Sequence, residues 1–219
     1  MPANSSVDAI QTGGVQSRWS PVRGLVLAAL LLLIIGTAGF LSIEYLKRNT
    51  QLVVSDTLAG LCDAGAANAN MVEGHNRTLL LLLSQTSAER ERFHRDIENY
   101  NEQVAASITA YSQSIFTPED QANYNHLLDC RKKYLDVRKQ VIALADREDA
   151  AGAQRLFKAS LMPAYLEYKA TGEKVFKYNA DEGKSRGELI MQICTSTQFL
   201  IAGAGIVLFL TGFFMGLFK

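Results

Sequence analysis

The chain has 219 residues, and its 22 Lys and Arg balance its 22 Asp and Glu, so the formal net charge is zero. With no basic block and no interleaving of arginine and aromatics, that balance excludes an electrostatic nucleic-acid binder. The length allows one ordinary domain plus membrane segments, and the 48% of hydrophobic residues gather near the two ends.

Residues 1–23 are polar, contain Gly and Ser, and include Pro2 and Pro21; they read as a disordered cytoplasmic arm. From Gly24 to Ile43 no residue is charged. About 20 helical residues cross a hydrocarbon core of roughly 30 Å, so residues 24–46 are expected to form a first transmembrane helix. Arg18 and Arg23 flank it on one side, Lys47 and Arg48 on the other, and Trp19 and Tyr45 suit the interfaces. A cleaved signal peptide is the alternative; apolar character continuing through Phe40, Leu41 and Ile43 argues against it. A second uncharged run from Phe199 to Phe218 places another span within residues 189–218. The short arm with Arg18 and Arg23 favours a cytoplasmic N-terminus, leaving residues 47–187 on the far side.

From Gly24 onward only Pro118 and Pro163 occur, and no Asn-Gly or Asp-Gly hairpin signal appears, so the middle is expected to be helical. The first helix continues from the first span to about Leu83. Its apolar stripe takes Leu58, Leu61, Gly65, Val72, Leu79 and Leu82. Asn68 and His75 interrupt that stripe. They are either buried polar residues that fix register or line a pocket, or a pair satisfied by neighbours and water. An adjacent small-residue face of Gly60, Ala64, Ala67 and Gly74, with Met71, is a candidate contact with another helix or a second copy. Thr86 and Glu89 make a capping box for a second helix, whose apolar positions are Phe93, Ile97, Tyr100, Val104, Ile108, Tyr111 and Ile115.

Thr117 as N-cap, Pro118 in the first turn, and Glu119 and Asp120 at the positive dipole end start a third helix. Its seam is Leu127, Leu128, Cys130, Tyr134, Leu135, Val137, Val141, Ile142 and Leu144, with Arg131 and Arg138 covering apolar surface beside it. Residues Asp146 to Asp149 turn into a fourth helix with Leu156, Phe157, Leu161, Tyr165, Tyr168, Val175 and Phe176 inward. Pro163 should kink that helix, which then runs into the second span. Short connections force antiparallel neighbours. The fold class is therefore all-α, an antiparallel up-down-up-down four-helix bundle flanked by two transmembrane helices.

Three stretches carry a likeness: GLCDAGAANANMVEGHNRTLLLLL (residues 60–83), TPEDQANYNHLLDCRKKYLDVRKQVIALA (117–145) and LMPAYLEYKATGEKVFKYNADEG (161–183). Together with the two spans they resemble the four-helix-bundle sensor domain of bacterial methyl-accepting chemotaxis proteins. The resemblance implies a receptor of the bacterial inner membrane whose periplasmic bundle senses a small ligand, usually as a homodimer. A small helix displacement would pass through the second span to a relay and a kinase-controlling coiled coil. In that pattern those output parts would follow Lys219, so the chain is expected to be either a fragment or a sensor without its own output.

Asp63, Asn70 and Arg77, continuing from Asp56 in steps of seven, share one face of the first helix. The resemblance places the dimer interface on this helix and arginines near its top on anionic ligands, so these residues are the candidate ligand-binding set. An arginine fork matches a carboxylate. The plainer reading is a solvated face of an amphipathic helix. A periplasmic binding protein is the other candidate stimulus. A structural or interaction protein that uses the bundle to dimerise or to dock a partner is the competing function class.

Cys62 and Cys130 read as separate small core residues, and Cys194 lies at the start of the second span. His94 and His126 show no partner at ligand spacing, so neither a metal nor a cofactor is expected. No paired-carboxylate, nucleophile-base or phosphate-loop signature points to an enzyme.

Overall fold

A computed structural model describes residues 21–217, all in helices or short connections. Apart from residues 21–23, the expected N-terminal arm lies outside the described residues, as do Phe218 and Lys219. The described residues up to Ser42 and from Thr197 onward form one compact unit, and Ile43–Ser196 form the other.

Helix α1 (Pro21–Leu52) opens on a proline, whose missing N–H is harmless in a first turn. Its apolar run is largely exposed, with Leu32, Leu33, Ile34, Phe40 and Leu41 each more than half uncovered. The apolar end of α6 (Met162–Leu217) is alike, with Phe199, Ile201, Ile206 and Phe209 exposed. Both helices carry an apolar stretch long enough to cross a membrane. Hydroxyls in these runs bond back to their own helix, as Thr37 does to the Leu33 carbonyl and Thr211 to that of Val207, at 2.7 Å each. That satisfies them without water.

The second unit is the four-helix bundle. Its helices are α2 (Ala59–Leu83), α3 (Ser87–Tyr111), α4 (Pro118–Asp146), and a fourth built from α5 (Ala150–Leu156) and the first half of α6. The expected caps are present. Thr86 Oγ1 accepts from the Glu89 N–H, and the Glu89 carboxylate accepts from the Thr86 and Gln85 N–H groups. Thr117 Oγ1 accepts from the Asp120 N–H at 3.0 Å, with Pro118 in the first turn. The turn after α4 places Glu148 at φ 63°, and Asp149 caps α5 through the Gly152 N–H.

Two π-helical turns break the regular pattern, Val53–Leu58 between α1 and α2 and Phe157–Leu161 between α5 and α6. The second stands directly before Pro163, whose ring clashes with the carbonyl four residues back. The kink expected at Pro163 is thus taken up as one wide turn upstream of it. The first rotates Asp56 inward. Asp56 does not share the half-buried face of Asp63, Asn70 and Arg77 but is 3% exposed, because an i→i+5 turn admits an extra residue and shifts the phase.

The core holds Val104, Ile108 and Tyr111 of α3, Leu127, Cys130, Tyr134 and Val141 of α4, and Phe157, Leu161, Tyr165, Tyr168 and Val175 of the fourth helix. Against these stand Ala64, Ala67 and Met71 of α2. This corrects the expected face of the first helix. The small-residue face fills the interior of the bundle, while Leu58 is 48% exposed and Leu61, Gly65 and Val72 are half-buried; of the expected stripe only Leu79 and Leu82 pack against the core. The reason is volume: four tyrosines and a phenylalanine from the other helices leave room mostly for small partners at close-packed density. Gly60 shows this most directly, since a Cβ there would fall 2.6 Å from Asn179 Oδ1 and 2.9 Å from Ser114 Oγ. Three further expectations fail. Cys62 is exposed, Phe176 is exposed, and Arg138 is buried instead of lying over the surface.

Candidate functional site

Polar and charged groups enter the bundle at three places. The first surrounds His75, which is 2% exposed on α2. Its ring lies flat on Tyr165, with centroids 3.6 Å apart and planes 3° from parallel, and Phe157 and Tyr134 close the cage at 5.7 and 5.9 Å. Its Nδ1 is 3.2 Å from the Tyr134 hydroxyl, and its buried Nε2 has no hydrogen-bond partner. Burial, reinforced by the Arg138 charge, pushes the imidazole down to about 4. The histidine is therefore a neutral, stacked core member at physiological pH.

The second place is a groove between α2, α3 and α4. Asn70, Tyr100, Asn101, Arg131, Arg138 and Tyr168 line it. Arg131 donates to the Asn101 side-chain oxygen at 3.2 Å. Arg138 lies over the Tyr134 ring, 5.2 Å from its centroid, a cation–π contact that compensates a buried guanidinium. Burial also pushes the Tyr168 hydroxyl up to about 12.

The third place lies where the chain enters and leaves the bundle, around Asp56, Ser114, Asp120, Asn179 and Arg186. The Tyr111 hydroxyl donates to Asp120 and accepts from the Asn179 amide at 2.9 Å, while Thr117 and Tyr178 share a hydroxyl bond of 2.6 Å. Burial pushes the carboxyls of Asp56 and Asp120 above the usual range; Arg186 opposes this at Asp56. One Asp56 oxygen is buried without a hydrogen-bond partner.

The candidate ligand residues do not converge on one point. Asn70 lines the groove with Arg131 and Arg138. Arg77 is held by carboxylates, 3.8 Å from Glu73 and 3.7 Å from Asp96, with the Tyr100 ring 5.9 Å away. Asp63 is half-buried on α2, below both. Asn68 is half-buried and close to Gly172, at the edge of a cavity shared with Tyr111 and Tyr168. The cavities inside the bundle have room for about one water each. Among the described residues of the bundle, none of these is a preformed pocket of metabolite size.

Sequence reasoning missed the Tyr111, Asp120 and Asn179 triad, although Asn179 stands one turn after the core residue Val175. It also missed the partner of His126. Cys130, one turn on, has its sulfur 3.8 and 3.9 Å from the two ring nitrogens. His94 pairs with Asp146 at 2.9 Å.

What this arrangement can do is hold a helical bundle together around buried polar contacts whose geometry depends on helix position. No curated protein matches the chain. The model of the four helix bundle sensory module for signal transduction matches residues 23–189. That stretch takes in the bundle and most of the sequence, and the chain belongs to this family of sensory four-helix bundles.

Proposed function

We propose that the chain is the extracytoplasmic ligand-sensing region of a chemoreceptor-type transducer in the bacterial inner membrane, with residues 47–187 periplasmic. It works as a homodimer and passes small displacements of α6 across the membrane. The observation that carries this reading is the continuity of α6 from Met162 to Leu217. One helix holds the core residues Tyr165, Tyr168 and Val175 and also the apolar run beyond Phe199. A shift in bundle packing therefore acts on the same continuous helix that would cross the bilayer.

The stimulus in this reading is a small anion, an amino or organic acid, met by Arg77, Asn70 and Asp63 where two copies of α2 face each other. The water-sized cavities of the single bundle support a site completed by a second copy. The half-exposed row of Leu58, Leu61, Gly65 and Val72 offers a seam for that copy. The same cavities support the second reading, in which a periplasmic partner protein docks on the bundle and no small molecule enters it.

The test is a thermal-shift screen of the full chain in detergent against acids and amino acids, followed by Arg77→Ala on any hit. Loss of a charge-assisted contact is expected to weaken binding more than about tenfold. A hit unchanged in Arg77→Ala removes this residue from the site, and a screen without hits favours the docked partner.

A further inference from the structure

His126 and Cys130 stand one turn apart on α4, and Glu167 reaches the same place from α6. The imidazole, thiol and carboxylate ligand atoms lie within 4.8 Å of one another. A zinc ion with Zn–S of about 2.3 Å and Zn–N of about 2.0–2.1 Å holds sulfur and nitrogen roughly 3.6 Å apart at a tetrahedral angle. The sulfur stands 3.8 and 3.9 Å from the two ring nitrogens, so a turn of the exposed imidazole that aims one nitrogen at the shared point, with a shift of a few tenths of an ångström, closes the pair. Thiolate, imidazole and carboxylate together suit zinc, whereas magnesium and calcium demand oxygen alone.

The surroundings fit an ion entering from solvent. Cys130 is 1% exposed and forms the floor, while His126 and Glu167 are exposed at the mouth. The Thr171 hydroxyl lies 3.6 Å from the sulfur and 2.9 Å from the Glu167 carbonyl oxygen. Its proton can turn toward the sulfur once that atom is a thiolate, an outer-shell contact of the kind that tunes metal ligands. Lys133 is 3.6 Å from one Glu167 oxygen. That contact is an exposed ion pair, too weak to hold the carboxylate against a divalent cation.

We propose that His126, Cys130 and Glu167 bind a thiophilic divalent cation of the zinc type, with water in the fourth position. Binding replaces the Cys130 S–H bond by an S–metal bond and releases one proton to solvent; nothing is oxidised or reduced. Three protein ligands with an open fourth position give an exchangeable site, unlike a closed structural one. The ion ties α4 to α6 at Glu167, near the start of the helix that continues to Leu217. Binding stands independently of the sensing role; only its consequence for signalling rests on that reading.

The experiment uses the full chain in detergent with Cys62→Ser and Cys194→Ser, which leaves Cys130 as the single thiol, and cobalt(II) as the probe. The expected result is a near-ultraviolet thiolate-to-cobalt band with strong visible bands of tetrahedral cobalt, saturating at one ion per chain and bleached by zinc. Cys130→Ser removes the ultraviolet band. His126→Gln and Glu167→Gln, both surface changes that leave the core packing alone, each weaken cobalt binding at least about tenfold. A folded chain, helical by circular dichroism, that shows no thiolate band overturns the proposal. So does an affinity indifferent to both surface variants. If cobalt binds as described but zinc leaves the output of a kinase-fused chain unchanged, the signalling consequence fails and the site stands.

Discussion

Acidification should weaken the bundle through His75, and the size of the effect follows from its cage. In the unfolded chain the imidazole titrates near 6.5, whereas in the fold it is held down to about 4. Between those values the unfolded chain carries the extra proton, so stability rises with pH across the window and is fully present above about 6.5. The gap of about 2.5 pH units, at about 1.4 kcal/mol per unit, sets a ceiling of about 3.5 kcal/mol. Relaxation and water entry around the unpartnered Nε2 bring the expected loss to about 1–2 kcal/mol between pH 7 and pH 4.5. Asp56 and Asp120 act in the opposite sense, because their raised carboxyls favour the fold as pH falls. The measurement is therefore a difference between wild type and His75→Phe, which keeps a ring against Tyr165 and removes the titration. Urea unfolding at several pH values should give a wild-type curve that falls toward His75→Phe, or below it, on acidification. Parallel curves from pH 7 to 4.5 would refute the assignment of a depressed, neutral histidine.

Gly60→Ala should destabilise the bundle. Alanine gains about 1 kcal/mol in helix propensity, but overpacking costs about 1–3 kcal/mol and the Asn179 bond to Tyr111 about 1 kcal/mol more. Asn179→Ala in the same chain should recover part of that loss in a double-mutant cycle by thermal melting, and a more stable Gly60→Ala would contradict the close approach. Asp56→Asn should raise the melting temperature at pH 8 and change it little at pH 4, since the raised carboxyl loses its charge on acidification. An equal shift at both values would mean that the buried charge is not the cause.

The local signals in the sequence proved readable, and the reason is range. A cap such as Thr117 with Asp120, or Thr86 with Glu89, is complete within four residues. The apolar steps of α3 and α4 were legible because large side chains dominate them. On α2 the interior takes Ala64, Ala67 and Met71 in place of Leu58, Leu61 and Val72, because the choice of face depends on tyrosines contributed by three other helices. Arg138 reads as a surface residue until the fold puts the Tyr134 ring under it. The candidate site suffers from the same dependence. Asn70 and Arg77 share a face, yet one turns to the groove and the other to Asp96. His126 and Cys130 were a legible pair one turn apart, but Glu167 comes from another helix.

The wide turn at Val53–Leu58 holds one residue more than an α-helix of the same rotation would need. Elsewhere in these helices, removing one residue would rotate a packed face out of register and wreck the core. Here, deletion of the exposed Ser55 would let the chain close into an ordinary α-helix. The residues on either side would keep their faces, because a wider turn advances each residue by a smaller angle and so absorbs the surplus residue. The turn is thus a point of slack in the chain, the place where a change of one residue in length is taken up locally without disturbing the packing of α2.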